Sequence, residues 1–304
     1  MVKTINKPPN IKPQLEINTK LTWMPDKTFE LEFTLPWEKV KNSFQKTLKD
    51  LAKTTEIKGF RKGKAPLKVV EKNIDKSKLY THVINQLLPV SYTSAVKKHH
   101  LNPAVSPKIE ILKAEENQDW QFKAISCELP EVKLNDYQQS IKAALAKEKI
   151  WTPDQGDPQK PPKENYQDTS KKLNQIFTIL LKSIELKLPG ILLEKEVQRL
   201  LSQLLDQVNK LGLTIEQYAQ SNQKTIEQLK TEHQLIAENN LKLELILQSI
   251  ANDQKITVND EEIDKMIEAA GDQKLKEKLN TPSERAYIAT VLKKRRAIDY
   301  LLSL

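Results

Sequence analysis

The sequence predicts an α+β domain at the N-terminus followed by an all-α domain, its antiparallel helices forming either a bundle or an open, arm-bearing arrangement. Three observations predict this division. A segment with a period of two lies near the start, helical and strand-like segments alternate up to about residue 130, and from about residue 165 the apolar spacing is helical to the end. A chain of 304 residues has room for two cores. The expected divisions are 1–13 as a flexible N-terminus, 14–130 as the α+β domain, 131–165 as a linker with a short helix and a Pro-rich loop, and 166–304 as the helical domain.

Residues 14–22 and 27–35 form the expected hairpin. Phe29, Leu31, Phe33 and Leu35 alternate with Thr28, Glu30, Glu32 and Thr34, which makes one face apolar. Met24-Pro25-Asp26-Lys27 supplies the turn. Pro36 suits a first helical position, and Val40, Phe44, Leu48 and Leu51 then recur at helical spacing. A short helix is expected over 66–73. A longer one is expected over 75–99, with Asp75 as its cap and Leu79, Val83, Leu87 and Val90 as its apolar stripe. Pro89 is expected to kink this helix or end its first half. Asn102-Pro103 closes the helical stretch, and strands follow at 109–113 and 120–129. Strands, helices and strands in that order imply helices packed on an antiparallel sheet.

Residues 130–150 hold a polar helix with Tyr137, Ile141 and Leu145, and the stretch from Trp151 to Pro162 is rich in proline, as an extended linker is. Ile176, Ile179, Leu180 and Ile184 make the first stripe of the helical domain, which Leu188-Pro189-Gly190 interrupts. Leu192, Val197, Leu200, Leu204, Val208 and Leu211 make the next, ended by Gly212. Thr214 caps a short segment with Ile215 and Tyr218. A long helix over roughly 223–251 runs through Ile226, Leu229, Ile236, Leu243, Leu247 and Ile250. Asn259 caps another helix, and Pro282 opens the last, through Tyr287, Val291, Ile298 and Leu302.

Composition narrows the functional classes. No run approaches the roughly 18 apolar residues of a membrane helix, and the first nine residues have no apolar core of the kind a signal peptide needs. A single cysteine, Cys127, cannot form an intramolecular disulfide and fits a reducing cytoplasm; it is expected as a small apolar residue in a strand. The four histidines have no metal-ligand spacing with acids or with Cys127. Dinucleotide, Walker and nucleophile-elbow motifs do not occur, so no cofactor is expected. Asp260, Glu261 and Glu262 suit the first turn of a helix better than catalysis, and Lys293-Lys294-Arg295-Arg296 is expected as a solvated helix face. Charge is uneven: residues 1–113 hold 22 Lys/Arg against 10 Asp/Glu, and residues 114–304 hold 27 against 30. The first part is suited to an anionic partner and the rest is near neutral.

The cationic excess peaks at Lys58, Arg61, Lys62, Lys64 and Lys68, around Gly59-Phe60-Arg61-Lys62-Gly63-Lys64-Ala65-Pro66. Glycines admit backbone turns closed to other residues, so an aromatic ring and several cations can stand out from the surface. On charge alone an ordinary solvated basic turn is the commoner case. The order Gly-Phe-Arg-x-Gly-Lys-x-Pro, after a hairpin and an amphipathic helix, resembles the ribosome-docking signature of the trigger factor family of bacterial chaperones. Leu188-Pro189, the helix with Glu194, Glu196 and Arg199, the run from Ile256 to Ile263 and the closing run from Leu292 to Leu302 resemble the family's C-terminal domain.

The resemblance implies an ATP-independent, cytoplasmic chaperone that meets nascent polypeptides at the tunnel exit. Gly59, Phe60, Arg61, Lys62 and Gly63, with Lys58 and Lys64, would contact ribosomal protein and rRNA. Ile191, Leu193, Leu213, Ile215, Met266 and Ile267 are candidates for the substrate surface, and equally candidates for ordinary core. The family also dimerises through the docking domain when free. Most members carry a peptidyl-prolyl isomerase domain of the FKBP type between the two regions, but here only about 40 residues, with Gly156 as their one glycine, occupy that interval. An independent domain needs at least about 50, so no isomerase activity is expected. A ribosomal RNA-binding or assembly protein and a ribosome-independent holdase are the alternatives.

Overall fold

The computed structural model describes residues 18–54, 56, 59–61, 63–73, 75–148 and 166–304. They form two compact units that meet between Leu129 and Pro130. In the first unit, strands β1 (Thr19–Trp23) and β2 (Thr28–Leu35) are followed by helices α1 (Trp37–Thr54), α2 (Leu67–Asn73) and α3 (Lys76–Lys98), then by β3 (Lys108–Lys113) and β4 (Trp120–Cys127). The strands lie in the antiparallel order β1-β2-β4-β3. Register follows from the alternation on β2. Leu31 sits opposite Leu21 and Ala124, and Phe33 opposite Thr19 and Phe122, so one face collects the apolar side chains. Phe29, Leu31, Phe33 and Leu35 are fully buried there with Val40 of α1, Val83 and Ala95 of α3, and Trp120 of β4. The rings of Phe33 and Phe122 stack at 5.8 Å, and Tyr80 meets Trp120 edge-on at 5.5 Å. The other face is polar and carries the Glu30–Lys123 ion pair at 3.2 Å. Cys127 is buried in β4, as expected.

Two details of α3 refine the expectation. The helix continues through the exposed Pro89, so the proline does not end it; on a solvent-facing side the carbonyl that loses its N–H donor can turn to water. Val90 is 67% exposed, because the buried line runs at intervals of four through Leu79, Val83, Leu87, Ser91 and Ala95.

The second unit consists of α4 (Tyr137–Glu148), α5 (Tyr166–Ser183), α6 (Gly190–Lys210), α7 (Ile215–Ser221), α8 (Ile226–Asp253), α9 (Asp260–Glu268), α10 (Gln273–Leu279) and α11 (Pro282–Ser303). Its main core joins Tyr137 and Ile141 of α4, Ile176 and Leu180 of α5, Ile246 and Ile250 of α8, and Ala297 and Leu301 of α11. Residues 137–148, read from sequence as part of a linker, are therefore structural. Ile141 is fully buried, Gln138 Nε2 donates to Tyr300 Oη at 2.7 Å, and Gln254 Nε2 donates to Tyr137 Oη at 3.1 Å. Pairs of apolar residues one helical turn apart suffice to dock a short helix when a larger core receives them. The Pro-rich stretch lies outside the described residues.

Local chemistry sets the helix ends. Thr214 and Thr225 each take part in a capping box, with Gln217 and Gln228. Gly212 follows α6 with φ +72°. Asn259 N donates to Glu262 Oε2 at 3.3 Å, so the acids at 260–262 open a helix, as read from sequence. The basic run of α11 is not simply a solvated face: Lys294 pairs with Glu244 of α8, and Arg296 reaches Glu262 and the Thr257 carbonyl. A smaller core under α9 and α11 holds Ile263, Ile267 and Ile288, and Arg285 ties the same two helices through Asp264 at 2.5 Å.

Candidate functional site

The basic loop leaves α1 and enters α2, and packing pins both of its ends. Leu48 and Ala52 of α1, Val70 of α2 and Leu79 of α3 share a small core. The Pro66 carbonyl accepts from Val69 N at 2.9 Å and Val70 N at 3.1 Å, so the proline opens α2. Lys64 N donates to Arg61 O at 2.9 Å, which closes a turn. The two glycines stand in the left-handed region, at φ +88° for Gly59 and +74° for Gly63. They differ in surroundings: a Cβ on Gly59 would meet open space, whereas one on Gly63 would lie 3.2 Å from the Lys53 carbonyl oxygen in the last turn of α1. Only a residue without a side chain lets the loop lie this close to the helix.

These constraints hold a ring and two cations outward. Phe60 is 43% exposed, and Arg61 and Lys64 are exposed and form no ion pair with a described residue. Lys68, the second residue of α2, is exposed too. Lys53, by contrast, is spent locally: its ammonium lies 2.9 Å from Asp50 and holds that carboxyl below the usual aspartate range. Covering what remains exposed of this ring would contribute about 1 kcal/mol, so a partner pocket for Phe60 has apolar energy to gain as well as charge. Lys58 and Lys62, read as members of the same site, lie outside the described residues.

The six residues read as a substrate surface divide in two. Met266 is 44% exposed, Leu213 is 37% exposed, and Leu193 and Ile215 are half-buried. Ile191 and Ile267 are buried within their unit and cannot meet a client: Ile191 lies at the buried start of α6, and Ile267 packs with Ile263 one turn earlier and with Ile288. The reverse error also occurs. Leu211, Ile226, Ile236 and Tyr287 have the spacing of core stripes but are exposed, Leu211 at 70%. Leu211 follows the last residue of α6 and Ile226 is the first of α8, and a helix terminus adds apolar residues that the packed face does not reach. Leu205, Leu211 and Leu213 on α6 and the turn after it, with Ile226, Leu235 and Ile236 on α8, give these two helices a broken apolar surface outside their mutual contact, and Tyr287 stands on α11. Among the described residues no three His, Cys, Asp or Glu side chains group as metal ligands, and no helix is long and apolar enough to cross a membrane.

Two models of one family match the chain. That of the bacterial trigger factor protein covers residues 17–155, and that of the trigger factor C-terminus covers residues 162–303. Residues 156–161 alone separate them, far short of an independent domain. The trigger factors of Streptococcus pneumoniae strains Hungary19A-6 and CGSP14 are each 37% identical over 107 residues, which is 35% of this chain and 25% of theirs. That of strain JJA is 36% identical over the same length. The match thus spans about a quarter of the length of these curated relatives. A solved structure concerned with promiscuous substrate recognition by the trigger factor chaperone covers 94% of this chain and 99% of its own, with a TM-score of 0.61 at 14% identity, and shows a shared fold. Matched by both family models over nearly its whole length, the chain belongs to the bacterial trigger factor family.

Proposed function

We propose that this protein is a ribosome-associated, cytoplasmic chaperone that docks beside the tunnel exit through Phe60, Arg61 and Lys64, with Lys58 and Lys62, and holds nascent polypeptides without ATP. The loop is the observation that carries the proposal: an exposed ring and exposed cations on a turn whose ends are fixed by a core. Cations would neutralise rRNA phosphates and the ring would seat in a protein pocket. The exposed apolar residues of α6, of the turn after it and of α8, with Met266 on α9, would meet clients weakly and without sequence preference, since scattered aliphatic side chains adapt to many partners. The chain carries no nucleotide-binding motif, and the interval between the matched regions supports a role without peptidyl-prolyl isomerase activity. Self-association through the first unit of the free protein belongs to the same proposal.

The test is co-sedimentation with ribosomes at low and moderate salt, for the natural chain and for Phe60→Ala/Arg61→Ala. The double variant is expected to lose at least about tenfold in affinity while its melting temperature stays within about 1 °C, because both side chains are exposed. Pelleting unchanged by the substitution would move the contact elsewhere and favour a diffuse RNA-binding protein. No pelleting of either chain, with protection against aggregation retained, would favour a free holdase.

A further inference from the structure

Within the second unit, helices α9 and α10 stand apart from the main core. Ile256 packs against that core and its N donates to Ala251 O at 2.8 Å, so the chain is fixed to the end of α8 up to this residue. Val258, two residues on, packs instead with the small core of Ile263, Ile267 and Ile288. The exposed Thr257 is therefore where the chain passes from one core to the other. Helix α11 divides in the same way. Its Ile288 and Leu292 belong to the small core, and its Ala297 and Leu301 to the main one. Three buried isoleucines are a thin core for residues 258–280, and α10 itself contains no buried residue.

Two arginines of α11 supply the rest of the attachment, one at each end of this segment. Arg296 donates to the Thr257 carbonyl and pairs with Glu262 in the first turn of α9. Arg285 Nη1 donates to Asp264 Oδ1 at 2.5 Å and to Oδ1 of Asn280, the residue after α10, at 3.1 Å. Its Nη2 lies 3.4 Å from Asp260 Oδ1. One guanidinium thus holds the entry to the segment, and the other gathers α9 and the exit from α10. Arg285 is half-buried, but Arg296, Asp260, Asp264 and Asn280 are exposed. Ionic contacts at exposed positions are weak one by one and weaken further with salt. A thin core closed by such contacts opens at a lower free energy than the larger core beside it.

We infer that residues 258–280 form a latch, which swings away from α11 about Thr257 and the Asn280–Thr281 turn while the main core stays folded. The closed latch keeps Ile263, Ile267 and Ile288 from any partner, and the open latch uncovers them. Ionic strength sets the open fraction through the two arginines. The inference rests on the chaperone reading and deepens it, since it makes the apolar surface offered to a client adjustable.

The test is native-state hydrogen exchange of the full chain, read by mass spectrometry of its peptides at low salt and at about 0.5 M sodium chloride. Amides of α9 and α10 are expected to exchange together, at least about tenfold faster than those from Leu241 to Ala251 of α8. The higher salt is expected to speed the α9 and α10 amides about twofold or more. Arg285→Gln/Arg296→Gln is expected to speed them at least about fivefold, to remove most of the salt effect and to leave α8 unchanged. Glu262→Gln/Asp264→Asn breaks the same contacts from the other side and is expected to act in the same direction. Equal protection of α9, α10 and α8 would overturn the proposal. So would rates in α9 and α10 that neither double variant changes, as simple fraying of short helices would give, or an acceleration spread evenly over the second unit. Failure of the chaperone reading shows separately, as no protection of a denatured test protein against aggregation by the natural chain, since the exchange is read without a client.

Discussion

Gly63→Ala, measured against Gly59→Ala, tests whether the loop is built as described. Both positions are left-handed, at φ +74° and +88°, and placing an L-residue there costs about 1–2 kcal/mol. Loss of unfolded-chain freedom returns about 0.4–1 kcal/mol, so Gly59→Ala, whose Cβ meets open space, is expected to destabilise by about 0.5–1 kcal/mol. At Gly63 the new methyl would lie 3.2 Å from the Lys53 carbonyl oxygen. That oxygen belongs to main chain in the last turn of α1, so relief must bend the helix end or the loop, for about 1 kcal/mol more. The net for Gly63→Ala is about 2 kcal/mol. Urea unfolding followed by tryptophan fluorescence reads mainly the right unit, since three of the four tryptophans, Trp23, Trp37 and Trp120, lie in it, and a Trp151→Phe background removes the fourth. The midpoint is expected to drop by roughly 1 M for Gly63→Ala and by roughly a quarter to a half of that for Gly59→Ala. Equal midpoints for the two variants would refute the close approach of loop and helix.

Ile141→Ala removes a fully buried side chain from the second core and is expected to cost about 2–4 kcal/mol, read by far-UV circular dichroism in urea; a change below about 0.5 kcal/mol would return α4 to the status of a linker. Glu116 is held below the ordinary glutamate value by the bond from Tyr80 and the ammonium of Lys76, while burial and the same bond push the Tyr80 phenol up. A depressed carboxylate contributes stability above its unfolded value of about 4.3 and loses it as pH falls through the lower folded value. An NMR titration should therefore place the Glu116 midpoint below that of an exposed glutamate, and Tyr80→Phe should move it upward. Leu211→Ser/Leu235→Ser substitutes two exposed residues and is expected to weaken protection against aggregation at unchanged stability, whereas Ile267→Ser, in a core, is expected to destabilise by about 2 kcal/mol or more; the opposite pattern in an aggregation assay and a thermal melt would reverse the assignment of the two faces.

Local periodicity determined a good part of this protein before any tertiary structure. The alternation on β2 set the hairpin, its register and the buried face, because a strand shifted by one residue would expose Phe29, Leu31, Phe33 and Leu35 together. The two glycines of the basic loop announced left-handed turns that only glycine enters cheaply. Caps at Asp75 and Thr214 and the stop at Gly212 were legible because they act within one turn. Only the tertiary structure decided which apolar residues face outward. A helix such as α8 carries apolar residues around much of its circumference, so its neighbours choose Ala237 and Leu241 for burial and leave Leu235 and Ile236 in water. The same holds for Ile191 and Ile267, drawn inward, and for Tyr137 and Ile141 on a segment too short and polar to declare itself core. Each depends on surfaces supplied by helices distant in sequence, and spacing along one helix carries no information about them.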